Sequence, residues 1–155
     1  MVLLCGIRPS VSNFREYSLP LQTNFDQNRR YAALKNIEIM QREGLVERAA
    51  DMGRYLLAGL QGLVTTHSTV GDARGLGLLC AIELVKDKNT KEKWARGADF
   101  IKRLHQLVNE QRMLTRVWEI QHIAPPLVVS QAEIDRIIAI LDESITQVEQ
   151  EFGLR

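Results

Sequence analysis

The chain has 155 residues, 45% hydrophobic and 25% charged, and its 20 basic and 19 acidic side chains leave a net charge of +1. That length supports one domain with a sizeable core, or two very small ones, and the composition is that of an ordinary soluble globular protein. The small charge gives no basis for nucleic acid or an acidic membrane surface as partner, and no apolar run is long enough to cross a bilayer.

Residues 1–30 mix Pro, Ser and Asn with scattered apolar side chains and show no sustained period. They read as an irregular extension, with a short strand near Val2–Ile7. MVLLCGI is too short for a signal peptide, lacks its positive lead, and is ended by Arg8 and Pro9. Cys5 and Cys80 lie far apart in apolar stretches, outside any CxxC or Cys/His pattern. Buried free thiols in a reducing cytoplasm suit that usage.

Regular structure is expected from about Gln27. Tyr31, Leu34, Ile37 and Met40 fall at helical spacing, and Gly44 is a natural stop. A second helix follows at once, with Leu45, Ala49, Met52, Leu56, Leu60 and Leu63 on one stripe. Two such helices should form a hinged pair packed on something apolar. Leu78–Val85 is dense in apolar residues and reads as a mostly buried strand. Gly71, Gly75 and Gly77 precede it. They suit a bent or bulged strand entry, since GLG lacks the GxGxxG length and opens no helix.

After the polar loop Asp87–Thr90, a third helix is expected over Lys93–Arg112, with Trp94, Ala98, Ile101, Leu104 and Val108 inward. Two short strands follow, Met113–Val117 and Gln121–Leu127. The last helix opens on Ser130 and Glu133, an S-x-x-E capping box. Ile134, Ile137, Ile138, Leu141, Ile145 and Val148 run down one of its faces, and Gly153 closes it. Three short strands and four long helices imply an α+β fold: a small, largely antiparallel sheet with helices on one face. Its other face meets solvent or another domain.

The chemistry is mostly defined by absences. His67, His105 and His122 have no zinc-ligand spacing, and no GxSxG elbow, Walker loop or cysteine-nucleophile signature occurs. His67, in TTHST, and His105, between leucines of the third helix, read as surface or boundary residues. Two features stand out. Arg116 ends an apolar strand in MLTRVW, a setting that suits an ordinary salt bridge or exposed strand end, and also a two-pronged grip on a carboxylate. In IQHIAPPLVVSQAE, His122 shares a strand face with Ile120 and Ala124, and Pro125–Pro126 then make either a bend or a donor-free edge bordering a cleft.

NIEIMQREGLVERAADMGRYLLAGLQGL, VGDARGLGLLCAIELVKDK and MLTRVWEIQHIAPPLVVSQAEIDRIIAILDESI together resemble the C-terminal part of class III aminotransferases. The similarity runs from roughly Ala32 to Leu141, on three motifs in the family's order: EGLVERA, RGLGLL with AIELV, and APPLVV with EID. It implies the small domain of a fold-type I enzyme, residues 31–155, whose sheet closes over pyridoxal phosphate held by a much larger domain. It also implies that the cofactor lysine and the phosphate- and ring-binding residues lie upstream of the matched region. FDQNRR stands where the family usually carries a Gly-His/Asn-Pro turn. Lys35, Lys86, Lys88, Lys91, Lys93 and Lys102 lack the context of the cofactor lysine.

The expectation is therefore a fragment or relict with no catalytic residue and no cofactor bound by this chain alone. Its partner would be the missing large domain or another copy of itself. Arg116 is placed like the arginine that takes the substrate carboxylate in omega-amino acid transaminases. The ornithine-type arginine two residues before APPL is replaced by Ile123 or His122. A stand-alone interaction module derived from this domain is the second expectation. A small-molecule regulatory domain is a third, resting on layout alone.

Overall fold

A computed structural model describes residues 25–154. The expected strand at Val2–Ile7 and the thiol of Cys5 lie outside that range. Helix α1 spans Phe25–Arg42, α2 Leu45–Thr66, α3 Asp99–Glu110 and α4 Gln131–Glu151; strands β1 (Val70–Leu76), β2 (Leu79–Asp87), β3 (Glu92–Lys93) and β4 (Ile120–Ile123) lie between α2 and α4. The chain divides into two compact units, one ending at Glu38 and the other beginning at Ile39.

In the first unit the end of the extension expected to be irregular is helical, because α1 begins at Phe25. The stripe Tyr31, Leu34 and Ile37 is exposed.

In the second unit the α+β expectation holds. β2 is the central strand and pairs antiparallel with β1, β3 and β4. The sequence reading missed β1, taking its glycines for a strand entry, yet they explain the geometry. The register shifts between Val70 and Asp72, a bulge at Gly71. Gly77, with φ 55°, supplies the left-handed turn residue of the β1–β2 hairpin.

The sheet has two distinct faces. Val70, Ala73, Cys80, Ile82, Leu84 and Ile123 point into the core with Leu56, Leu60 and Leu63 of α2, Phe100 and Leu104 of α3, and Ile134, Leu141 and Ile145 of α4. The opposite face carries the alternate residues Arg74 and Leu76, Leu79, Ala81 and Glu83, and Ile120 and His122, paired across the strands. Leu76 and Leu79 there are 89% and 54% exposed.

α4 starts as its sequence dictates: Ser130 Oγ accepts from the Glu133 N–H, and Glu133 accepts from the Ser130 N–H at 2.7 Å. These contacts hold the Glu133 carboxyl below the usual carboxylate range. Gly153, with φ 66°, follows the helix end.

Two expected boundaries are corrected. α3 begins at Asp99, not Lys93, because Glu92–Lys93 pairs with β2 and Gly97 (φ 75°) breaks the helical path. Trp94 still reaches the core by stacking on Phe100 at 4.4 Å. Met113–Val117 is not a strand. β2's ladder is already occupied by β1, β3 and β4, and this segment is tied down by burial of Val117 and a Thr115 Oγ1 bond to the His122 carbonyl. β4 stops at Ile123, two residues before Pro125, and the Val129 N–H turns back to the Pro126 carbonyl at 3.0 Å. The paired prolines thus end the ladder and aim the chain into α4.

Gln121 sits on the core face of β4, fully buried, and among the described residues neither end of its amide has a hydrogen-bond partner. An unsatisfied buried amide costs stability. Gln121→Met, which keeps the shape and removes both polar ends, is expected to raise unfolding free energy by about 1–2 kcal/mol in urea titrations. An unchanged or lower midpoint would show that the amide is satisfied in solution.

Candidate functional site

Two constellations can be built from the residues: one buried and structural, one exposed at the entrance of β4. The buried one overturns the expectation for His67. TTHST reads as a polar surface turn, but His67 is only 1% exposed. Its Nδ1 lies 3.0 Å from Glu149 Oε2 and its Nε2 lies 2.8 Å from Asp142 Oδ1. Glu149, fully buried, also accepts from Ser68 Oγ and from both the backbone N–H and the Oγ1 of Thr69.

Burial pushes the Glu149 carboxyl up, but the bonds from His67 and Thr69 outweigh it, and the net shift is below the usual range. This cluster contributes no residue to either of the two grooves beside Trp118. It joins the end of α2, the start of β1 and the last turns of α4. The α4 partners lie 82 and 75 positions from His67, so no local pattern could have revealed them. His105 is at the surface, one of the two placements expected for it, and bonds Asn109 at 3.1 Å on an exposed helix face.

The exposed constellation gathers around Arg116. Its side chain is exposed, and its guanidinium lies over the Trp118 ring, 4.9 Å from the centroid. Trp118, Lys93, Trp94, Glu119, Ile120 and His122 line an open groove of about 350 Å³. His122 and Ile120 reach it from the outer face of β4, which agrees with the expected alternation. Lys93 is held by Glu83 at 3.1 Å. Glu83 also accepts from Arg74, and these two cations hold its carboxyl below the usual range.

The three sequence motifs meet in space. Arg48, from EGLVERA, donates to the Val129 carbonyl at 2.8 Å and thereby grips APPLVV. Gly53 of α2 lies against Gly77 of the hairpin turn so closely that a Cβ at Gly53 would overlap the Gly77 backbone. The spacing of glycines in VGDARGLGLL is thus explained by a turn and a close approach rather than by phosphate binding.

A helix-flanked antiparallel sheet with these three motifs locked together defines an α+β domain of transaminase type. The class III aminotransferase pattern matches residues 26–145, and the chain belongs to that family. Taurine–pyruvate aminotransferase of Bilophila wadsworthia is 41% identical over 129 residues, covering 79% of this chain and 28% of the relative. Putrescine–pyruvate aminotransferase of Pseudomonas aeruginosa is 35% identical over 117 residues, covering 74% and 25%. Among solved structures, an omega transaminase of Pseudomonas jessenii (a thermostable 6-fold mutant) superposes with a TM-score of 0.72 at 35% identity, over 78% of this chain and 27% of that one. The chain spans about a quarter of the length of these relatives.

Complete members of the family depend on pyridoxal phosphate, and the described residues do not fit it. Lys35, Lys86, Lys93 and Lys102 are each engaged by a carboxylate within 3.1 Å, Lys88 donates to the Val64 carbonyl, and Lys91 is exposed. Lys93 and Lys102 border open grooves rather than enclosed cavities. Among the described residues no helix is long and apolar enough to cross a membrane, and no cluster of His, Cys, Asp or Glu is arranged to hold a metal.

Proposed function

We propose that this chain is the small domain of a class III transaminase, and that it does not turn over without the rest of that enzyme. In the complete enzyme an amino group would pass from an amine or omega-amino acid to a keto acid. Within it, Arg116 would grip the carboxylate of the amino acid or keto acid. The observation that carries this reading is the disposition of Arg116. It is exposed, has no acidic partner among the described residues, and stands beside a groove at the start of β4. Arg74 and Arg103, by contrast, are each committed to two carboxylates. An uncommitted guanidinium offers paired donors that match a carboxylate.

Mixing the purified chain with pyridoxal phosphate, an amine donor and pyruvate is expected to give neither a new visible absorbance band nor alanine. A stable band accompanied by turnover would overturn the reading. Adding a separately expressed large domain of a class III enzyme is the complementary arm, because proximity and cofactor chemistry both depend on it.

A second reading, a self-associating module, is favoured by one observation. Leu76, Leu79, Leu114 and Val128 are 89%, 54%, 95% and 61% exposed. Apolar surface of that kind associates when nothing covers it. Sedimentation across a hundredfold range of concentration tests this, and a strict monomer throughout would remove it.

A further inference from the structure

We infer that Trp118 is a positioning residue for Arg116: its indole ring holds the guanidinium and presents the paired N–H donors to a carboxylate. This rests on the proposed carboxylate role of Arg116 but goes beyond it, since it assigns a second residue that the sequence did not single out.

Three observations lead there. First, Arg116 lies over the Trp118 ring at 4.9 Å, a cation–π distance. Second, the arginine is not restrained by any acid among the described residues, so the ring is what fixes its direction. Third, the segment 113–117 has no ladder of its own, and an exposed arginine there would otherwise sample many rotamers. A ring beneath a guanidinium occupies a face of the cation and leaves its N–H edges free. Stacking therefore restricts the side chain without using the donors that a carboxylate needs.

The two residues are also placed to act together. Val117 between them is buried and anchors the segment, while Arg116 and Trp118, two positions apart, are both exposed. Trp118 also lines the groove shared with Trp94, Ile120 and His122, so a carboxylate on Arg116 would lie at the rim of an aromatic and partly cationic surface. The effect expected of such a platform is modest. An exposed cation–π contact is worth about 0.5–1 kcal/mol, or about a 2- to 5-fold change in affinity.

The test uses the full chain and NMR of the arginine Nε–Hε groups, with Arg116 assigned by comparison with Arg116→Gln. The probe is sodium pyruvate, titrated against sodium chloride at constant ionic strength. In the unaltered chain the Arg116 Hε signal is expected to be displaced by the indole ring current and to shift further on adding pyruvate. Trp118→Ala should abolish the ring-current displacement and weaken pyruvate binding at Arg116 about 2- to 5-fold, while Trp118→Phe restores part of both.

Unchanged or tighter pyruvate binding in Trp118→Ala would overturn the proposal, as would an Arg116 signal insensitive to removal of the indole. If pyruvate perturbs the groove equally in Arg116→Gln, or fails to move Arg116 in any variant, the carboxylate role itself fails. Because Trp118 is 48% exposed, its replacement leaves the core intact, and the backbone spectrum of each variant verifies that directly.

Discussion

Glu149→Ala is expected to lower the unfolding free energy by about 3–5 kcal/mol, because one side chain accepts from several buried donors and each left unpaired costs about 1–3 kcal/mol. The substitution strips His67 and Thr69, both about 1% exposed, of an acceptor and leaves their donors buried, while the exposed Ser68 hydroxyl keeps the Leu154 carbonyl. Glu151, two residues on, is the natural control. It binds Arg103 through two hydrogen bonds at 2.7 and 2.9 Å, and its carboxyl is pushed down to about 2, but it lies at the surface. Its replacement by alanine should move the urea midpoint far less.

The pH dependence follows from the sign of the Glu149 shift. The folded carboxyl lies below its ordinary 4.5, so its contribution is fully present above that value and lost as pH falls through the lower folded one. Acid unfolding of the unaltered chain should therefore steepen below about pH 4.5, and Glu149→Gln should flatten that limb. A variant with the original steep limb would show that other carboxylates govern it.

Gly53→Ala is the second large effect, and its sign is the informative part. In an exposed helix interior this change stabilises by about 1 kcal/mol. At Gly53 the added Cβ would overlap the Gly77 backbone, so a loss of about 1–3 kcal/mol is expected instead. Gly62, in the same helix, has nothing within 4 Å of its hypothetical Cβ. Gly62→Ala should follow propensity and stabilise. Thermal unfolding of the two variants side by side separates the contact from the propensity. Equal responses would show that the hairpin turn moves away at little cost.

These residues show what could be read in the chain and what could not. The fold class, α2, α4 with its capping box, and β2 were legible because each depends on local spacing or on a cap. The motif resemblance located the domain within its family. The failures were non-local. β1 looked like a glycine-rich entry because only Val70 and Ala73 of its seven residues are buried, too few to mark a strand. Met113–Val117 has strand-like residues but meets β4 through the Thr115 side chain rather than through a backbone ladder. His67 was misplaced because its carboxylates arrive from α4. Arg116 was singled out in the sequence, but Trp118, whose ring lies against its guanidinium, was not. The cation–π contact depends on the turn of a segment that has no regular pattern.

The grip of Arg48 on the Val129 carbonyl spans 81 positions, and the His67–Glu149 contact spans 82. Chain entropy must be surrendered across both intervals before either bond forms. Such long closures raise the contact order and slow folding relative to a helical bundle of similar size. A transient species with α2 and the β1–β2 hairpin formed but α4 undocked would leave the apolar face of the sheet open. That species, rather than the finished fold, is where aggregation during refolding would begin.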